Sequence, residues 1–497
     1  MRRLLTFLPL LFLPLALLLP PAPQQAAPDT TTATPPKSAD ADRIAATIDP
    51  ILNESVGEEA FWGVYVADAR TGEELYTRNA GLMMLPASNQ KILTTAMALD
   101  ARGADYTYET RLLASKPAAG GVLSGDLMIV GTGDPSLGST VLPGDTNPFD
   151  DWAEALAAQG VRRVEGRLIG WDNTFDDEAY AEGWDIDYVG TQSSRALGVS
   201  ASGLSFGDNL VIVQVRAGGR GEKPTVTTRP DNFLNIDNRA TTTSRRRGQA
   251  LRVTRTLGTD DLVLKGSVGR TGSTVEMPIY NPTLLAVQAM KNALEEAGIT
   301  VTATLHDVDD IDDSPDRDKM TELFVHQSPP LSELLHVVNK KSNNFFAEQI
   351  FRSVAFGGSA EGGEDRVETL IERAGGDAGN LSVRDGSGLS RKNLITPRAM
   401  GEVLVFMNNG NQREAFRATM ARGGEPESTL RYRMSGLPVL AKTGSLAFVR
   451  SLSGYVRAPD GNELVFVIFA NNFAVPPYRI TSTIDRIVTG LAQQPAL

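Results

Sequence analysis

The stretch LPASNQKILTTAMALD, residues 85–100, decides how the rest of the chain is read. Pro86 and Ser88 have the character of a helix start, and Ile92, Leu93, Ala96, Met97 and Leu99 recur at the spacing of a buried helical stripe. Ser88 and Lys91 therefore lie one turn apart on the same side of that helix. A serine hydroxyl attacks poorly until a neighbour takes its proton, and a lysine can take it only where burial or nearby positive charge holds the amine neutral. Lys91 sits among apolar residues in the first helical turn, where the positive end of the helix dipole also disfavours its charged form. Alone, a Ser-x-x-Lys pair is a weak signal, because such pairs also arise by chance on ordinary surface helices.

Upstream of this stretch, FWGVYVADARTGEELYTRNA at 61–80 reads as two strands joined by a turn at Thr71-Gly72, preceded by a helical stretch around Ile44 to Leu52. Residues 23–41 have the Pro, Ala, Thr and Gln composition of a flexible linker. Residues 1–22 read as an export signal, with Arg2 and Arg3 followed by an apolar run from Leu4 to Leu19 and cleavage expected between about residues 22 and 27. The expected location is outside the cytoplasm, in the periplasm or cell envelope, with loose membrane association left open.

At 497 residues and 41% apolar composition the chain has material for two or three lobes. A net charge of -12 argues against nucleic acid or an anionic membrane surface as a partner, since both call for a basic face. There is no cysteine, which removes disulfides, thiolate chemistry and Cys-bound metals. The three histidines, His306, His326 and His336, form no metal-ligand spacing, so neither a metal nor another cofactor is expected.

Downstream of Arg102 the texture turns to short strand-like pieces punctuated by Gly, Pro and Asp as far as about Val275. GTGDPSLG at 131–138 lacks the Gly-Lys-Ser/Thr of a phosphate loop and reads as a turn. Arg245, Arg246 and Arg247 read as a solvated loop tip. A helix over 281–298 and a strand over 299–305 lead to HDVDDIDDSPDRD, seven aspartates in 13 residues, which reads as a boundary. Beyond it come a strand at 321–325, a helix that delivers KKSNNFFAEQ, a strand carrying AKTGSL at 441–446, two more strands, and a closing helix from about Tyr478 to Ala492. The N-terminal hairpin and C-terminal strands are expected to form one antiparallel sheet covered by helices, made of residues 42–103 and 320–497. Residues 104–319 would be an inserted β-rich segment of one or two lobes.

Three motifs then coincide in order: Ser88-x-x-Lys91, Ser342-x-Asn344 and Lys442-Thr443-Gly444, none of which recurs elsewhere in the chain. The set resembles that of the active-site-serine penicillin-recognising enzymes. The 254 positions from Ser88 to Ser342, against 100 from Ser342 to Lys442, resemble the low-molecular-mass class C penicillin-binding proteins, the D-alanyl-D-alanine carboxypeptidase/endopeptidase group, in which a large insertion follows the nucleophile helix. GTGDPSLG, SPPLSELL, DGSGLSRKNLITP at 385–397 and SLSGYV at 451–456 extend the likeness over nearly all of the chain after residue 42.

The resemblance implies an α/β (α+β) fold, a transpeptidase/β-lactamase-like domain with a large, mainly β insertion. It implies peptidoglycan stem peptides and β-lactams as the molecules bound, with Ser88 as nucleophile, Lys91 as its base and Ser342 as a proton relay. Asn344 would align the substrate amide, and Lys442, Thr443 and Ser445 would hold the terminal carboxylate. Gly444 would permit close approach, and the N–H groups of Ser88 and Ser445 would form the oxyanion hole. Arg391 resembles an arginine that reads the free end of a diaminopimelate side chain, and Asp172 is the expected acidic partner. The alternatives are a serine β-lactamase, for which no Glu-x-x-Leu-Asn stands between the second and third motifs, and a non-catalytic wall-binding protein, which would not need an intact triad of motifs.

Overall fold

Strand 464–470 shows why the fold closes as it does. Leu464, Phe466, Ile468 and Ala470 point to one apolar core and Val465, Val467 and Phe469 to another, so the strand is buried on both faces. The computed structural model that contains it describes residues 39–54, 59–144, 146–189, 198–231, 233–246, 251–379 and 381–493. The expected signal segment and almost all of the linker lie outside these residues, and the first helix, Ala39–Leu52, begins inside the stretch assigned to the linker.

Six strands form the central antiparallel sheet, in the order Glu74–Arg78, Phe61–Asp68, Glu463–Asn471, Val449–Arg457, Val439–Leu446 and Ala421–Arg422. Chain ends thus meet in mid-sheet, where Tyr65 lies opposite Val467. On one face Ile44, Ile48 and Leu52 of the first helix pack with Ile480, Ile484, Ile487 and Leu491 of the last, Pro477–Gln493. On the other lie the helix Gln90–Arg102, which follows Ser88, the helices Leu331–Lys340, Asn344–Val354 and Pro397–Asn409, and a core around Leu93, Met97, Leu334, Phe346 and Met400. Each such aliphatic or aromatic side chain contributes about 1.5–3 kcal/mol on full burial, so both layers hold the sheet firmly.

Among the described residues the insertion holds three apolar clusters, two of them large. A five-stranded mixed sheet, ordered Leu305–Asp307, Leu168–Trp171, Leu127–Val130, Glu109–Ala114 and Thr321–Gln327, carries helices Pro148–Ala158 and Pro282–Glu296, with Leu127, Ile129, Phe149, Trp152, Val287 and Met290 between them. A smaller all-β part joins two three-stranded sheets through Val211, Val213, Val253, Leu262, Leu264 and Met277. Two expectations are corrected here. Strand Thr321–Gln327, grouped by the sequence reading with the central sheet, pairs instead with Glu109–Ala114 in the five-stranded sheet. Helix Pro148–Ala158 stands within a stretch read as mostly β; Asn147 caps it by accepting from the Phe149 N–H and Pro148 opens it.

Candidate active site

Ser88 sits in a single 3-10 turn, Ala87–Asn89, just before the helix Gln90–Arg102. Ala87 has φ +48°, a left-handed conformation that costs a non-glycine residue about 1–3 kcal/mol and persists only where surroundings enforce it. The enforcement is visible. The Asn89 amide donates to the Lys442 carbonyl at 2.8 Å and accepts from Ser453 Oγ, while Ser451 Oγ donates to the Pro86 carbonyl at 2.6 Å. Strand Val439–Leu446 is thereby fastened against the Ser88 turn. Gly444 allows this, since a Cβ there would lie 2.1 Å from Ser451 Oγ and 3.1 Å from the Ser88 nitrogen.

Lys91 is fully buried, and its Nζ stands 3.3 Å from Ser88 Oγ, 2.7 Å from Asn344 Oδ1 and 2.5 Å from the Ser387 carbonyl oxygen. Burial pulls its pKa from 10.5 to about 7, against the charges of Asp385 and Glu348, which hold it up. An amine of that pKa is neutral in part at neutral pH and able to accept a proton. The second motif lies on the turn between helices Leu331–Lys340 and Asn344–Val354, with Ser342 at φ +58° and Asn343 capping the second helix by accepting from the Phe346 N–H. Lys442 Nζ donates to Ser342 Oγ and to the Thr443 carbonyl, each at 2.8 Å. Burial, reinforced by the neighbouring Lys91, drives the Lys442 pKa well down.

The three motifs therefore converge. Ser88, Ser342, Asn344, Thr443 and Ser445 line one cavity of about 880 Å³, together with Leu389. The same cavity runs outward past Lys341, Glu427, Arg431 and Tyr432, and Thr140, Val141 and Glu276 bring the insertion to its wall.

Arg391 is not paired as expected. Its Nε lies 3.5 Å from Asp185 Oδ2 and its Nη2 donates to the Ala447 carbonyl at 3.2 Å. Asp172 is instead held inside the insertion, accepting from Ser202 Oγ at 2.9 Å and from Thr283 Oγ1. The correction has a simple cause: Asp172 follows a strand of the five-stranded sheet and turns into that lobe, whereas Asp185 lies on the loop that passes over Arg391. Asp172 also gathers with Asp307 and Asp309, the one group of carboxylates among the described residues close enough to share a cation; none of the three lines the cavity.

Other contributors carry no motif of their own. Ser387 meets Lys91 only through its backbone carbonyl, Asn89 acts through its amide, and Trp184 and Asp385 join across the lobe boundary at 2.7 Å. The stretch 385–397 stands out in the sequence, but nothing there tells which of its groups face inward.

A family model described as the D-Ala-D-Ala carboxypeptidase 3 (S13) family matches residues 44–493. The chain is 35% identical over 448 residues to a D-alanyl-D-alanine carboxypeptidase of Actinomadura sp., covering 86% of this chain and 81% of that one. It is 24% identical to the D-alanyl-D-alanine carboxypeptidase DacB of Haemophilus influenzae over 85% of this chain and 88% of the relative. Among solved structures, penicillin binding protein 4 from Haemophilus influenzae superposes with a TM-score of 0.74 at 23% identity, covering 92% of this chain and 100% of that one. With the motif set and the fold in agreement, the chain belongs to the D-Ala-D-Ala carboxypeptidase 3 (S13) family and is a serine hydrolase of that family.

Proposed function

We propose that the protein is exported and cleaves peptidoglycan stem peptides through an acyl-enzyme on Ser88, and that penicillin acylates the same residue. The observation that carries this reading is the fully buried Lys91 amine, with a pKa near 7, at 3.3 Å from Ser88 Oγ. Lys91 takes the hydroxyl proton as Ser88 attacks the carbonyl of the penultimate D-alanine. Backbone N–H groups of Ser88 and Ser445 then receive the developing oxyanion, a contribution of roughly a few kcal/mol. Ser342, held by Lys442, relays a proton to the leaving amine. Burial and the Lys91 charge push Lys442 toward neutrality, and a substrate carboxylate at Thr443 and Ser445 would draw it back to the charged form.

The outward arm of the cavity supports endopeptidase action beside removal of a terminal D-alanine, because it leaves room for a leaving group larger than one amino acid. On the other side, Arg391 with Asp185 supports recognition of an amino acid bearing both an amine and a carboxylate, the free end of a diaminopimelate side chain. Export is supported by the basic and then apolar N-terminus.

The test is to incubate the purified protein with a fluorescent penicillin, with a peptide ending in D-Ala-D-Ala, and with cross-linked cell-wall fragments followed by mass spectrometry. Lasting label with release of D-alanine and of uncross-linked fragments is expected. Rapid penicillin turnover without peptide cleavage would replace this reading with a β-lactamase. N-terminal sequencing of protein from the cell envelope checks the cleavage between about residues 22 and 27.

A further inference from the structure

Directly behind the reacting groups lies a carboxylate the mechanism does not use. Asp385 is completely buried. Its Oδ1 accepts from the Gly388 N–H at 2.7 Å and the Asn393 amide at 2.6 Å. Its Oδ2 accepts from Ser387 Oγ at 2.9 Å, from the N–H groups of Leu389 at 2.9 Å and Ser390 at 2.8 Å, and from the Trp184 indole at 2.7 Å. An ionised carboxylate is a pure acceptor with about four lone-pair sites, and here they are saturated. Burial of such a group is tolerable only with this degree of compensation.

What Asp385 organises is the wall of the nucleophile. The loop it gathers presents the Ser387 carbonyl to Lys91 Nζ. One residue on, Gly388 at φ +83° passes so close that a Cβ would fall 2.0 Å from the Ala87 carbonyl oxygen and 3.0 Å from the Ser88 nitrogen. Leu389 lines the cavity itself. Behind the loop, Thr94 Oγ1 donates to the Gly386 carbonyl at 2.7 Å and the Gly386 N–H donates to Glu348 at 2.9 Å, so its rear is braced by two helices.

Five of the six donors come from this loop and one from the inserted lobe. Trp184 lies on the segment that carries Asp185, and its ring packs against the small apolar cluster of Ala87, Leu389, Leu446 and Val449 that flanks Ser88. The Ser390 hydroxyl donates to the Glu182 carbonyl and the Arg391 N–H to the Gly183 carbonyl at 3.2 Å, so this segment is fastened along its length.

We propose that Asp385 is a positioning residue for the Ser88–Lys91 pair, and that the Trp184 indole N–H makes this positioning answer to the inserted lobe. The inference rests on Lys91 being the base of acylation. It gives the insertion a part in rate besides recognition: a stem peptide that settles the Asp185 segment would settle Asp385 and the Ser387 carbonyl with it.

A distinguishing readout follows from charge. The groups facing Lys91 are Lys442 on its strand, Glu348 on its helix, and Asp385 on the loop. Acylation needs Lys91 neutral, so its rate rises with pH through the Lys91 pKa. Asp385 favours the charged amine, so removing its charge lowers that pKa and moves the acid limb to lower pH. An Asp385→Asn side chain also turns an NH2 toward donors and loosens the loop. A small misplacement of reacting atoms can cost about 100-fold in rate, and a plateau decrease of about tenfold or more is expected.

The experiment measures the second-order rate of fluorescent-penicillin acylation of the full chain from pH 5 to 10 for wild type, Asp385→Asn, Trp184→Phe and Lys91→Ala, alongside thermal melting. Asp385→Asn should show both the slower plateau and the displaced limb. Trp184→Phe, which keeps the ring and loses only the N–H, should slow the plateau several-fold with the limb in place. A wild-type plateau or an unmoved limb in Asp385→Asn overturns the positioning role, and wild-type rates in Trp184→Phe overturn the coupling to the lobe even if Asp385→Asn does not fold. Normal acylation by Lys91→Ala would instead remove the base on which the proposal rests, a failure of the mechanism that this control separates from the other two.

Discussion

The motif-lined cleft and the proposed recognition side of the molecule hold their charges in opposite ways. Lys91 and Lys442 are fully buried, each fixed by neighbouring oxygens that include a backbone carbonyl, and each is pushed toward neutrality. Arg391 and Asp185 are part-exposed, at 34% and 46%, and meet at 3.5 Å. Burial is what makes an amine a base, and partial exposure is what leaves an ion pair free to open for a ligand. Under the proposed function the same residue classes do chemistry in one place and reading in the other, and substitutions should separate the two.

The sharpest separation is expected from Ser88→Ala. It should abolish penicillin labelling and D-alanine release, while unfolding free energy changes by no more than about 0.5 kcal/mol, since a half-buried hydroxyl at the cleft is all that is lost. Stoichiometric labelling of this variant, read by mass spectrometry, would move the nucleophile elsewhere. Lys91→Ala should lower the acylation rate by about 10²–10⁴, the usual contribution of a positioned base. In wild type the rate should climb through about pH 7, because the group loses its proton there; a profile that rises only above pH 9 would place Lys91 outside the proton path.

Much of the cleft's geometry is legible in the sequence because the motif side chains stand at fixed short spacings. Ser88 and Lys91 are one helical turn apart, Ser342 and Asn344 share a tight turn, and Lys442 to Ser445 follow one strand, so local rules alone bring each set together. The four long strands of the central sheet are legible for a related reason, since they are largely apolar runs bounded by turns. Hidden from the sequence were groups acting through the backbone or across the lobe boundary. The Ser387 carbonyl has no residue signature, and the Trp184–Asp385 bond spans 201 positions. That Arg391 meets Asp185 and not the expected Asp172 depends on loop paths across lobes, which periodicity does not encode. Strand Thr321–Gln327 was misassigned for the same reason: an edge strand records its own pattern and not its neighbour.

A smaller effect should come from Arg391→Ala. With Asp185 paired to Arg391, a peptide bearing diaminopimelate should lose about tenfold in kcat/KM, whereas a neutral-side-chain peptide and penicillin should react nearly as before. Equal cleavage of both peptides by wild type would dissolve the contrast between reading and chemistry. Asp172→Asn should leave that preference intact, since Asp172 bonds within the insertion.

The smallest effect probes the insertion's own stability. Burial and the Asp172 charge raise Asp307 to about 6, and burial and the Asp307 charge raise Asp309 to about 6. A carboxylate whose folded pKa exceeds its unfolded value near 3.8 binds more protons in the native state. Its ionisation therefore opposes folding: stability is fullest below about pH 4 for these groups and declines as pH rises to about 6. Asp307→Asn keeps an acceptor for the Asn281 amide, which now donates to Asp307 at 2.8 Å, and removes the charge from the middle of the cluster. The variant should melt slightly higher than wild type at pH 7.5, by about 1 kcal/mol or less, and the gap should narrow at pH 5. Melting followed at both pH values checks it. A variant less stable at pH 7.5 would mean that the ionised carboxylate contributes to the fold, reversing the sign assigned to the cluster while leaving the cleft untouched.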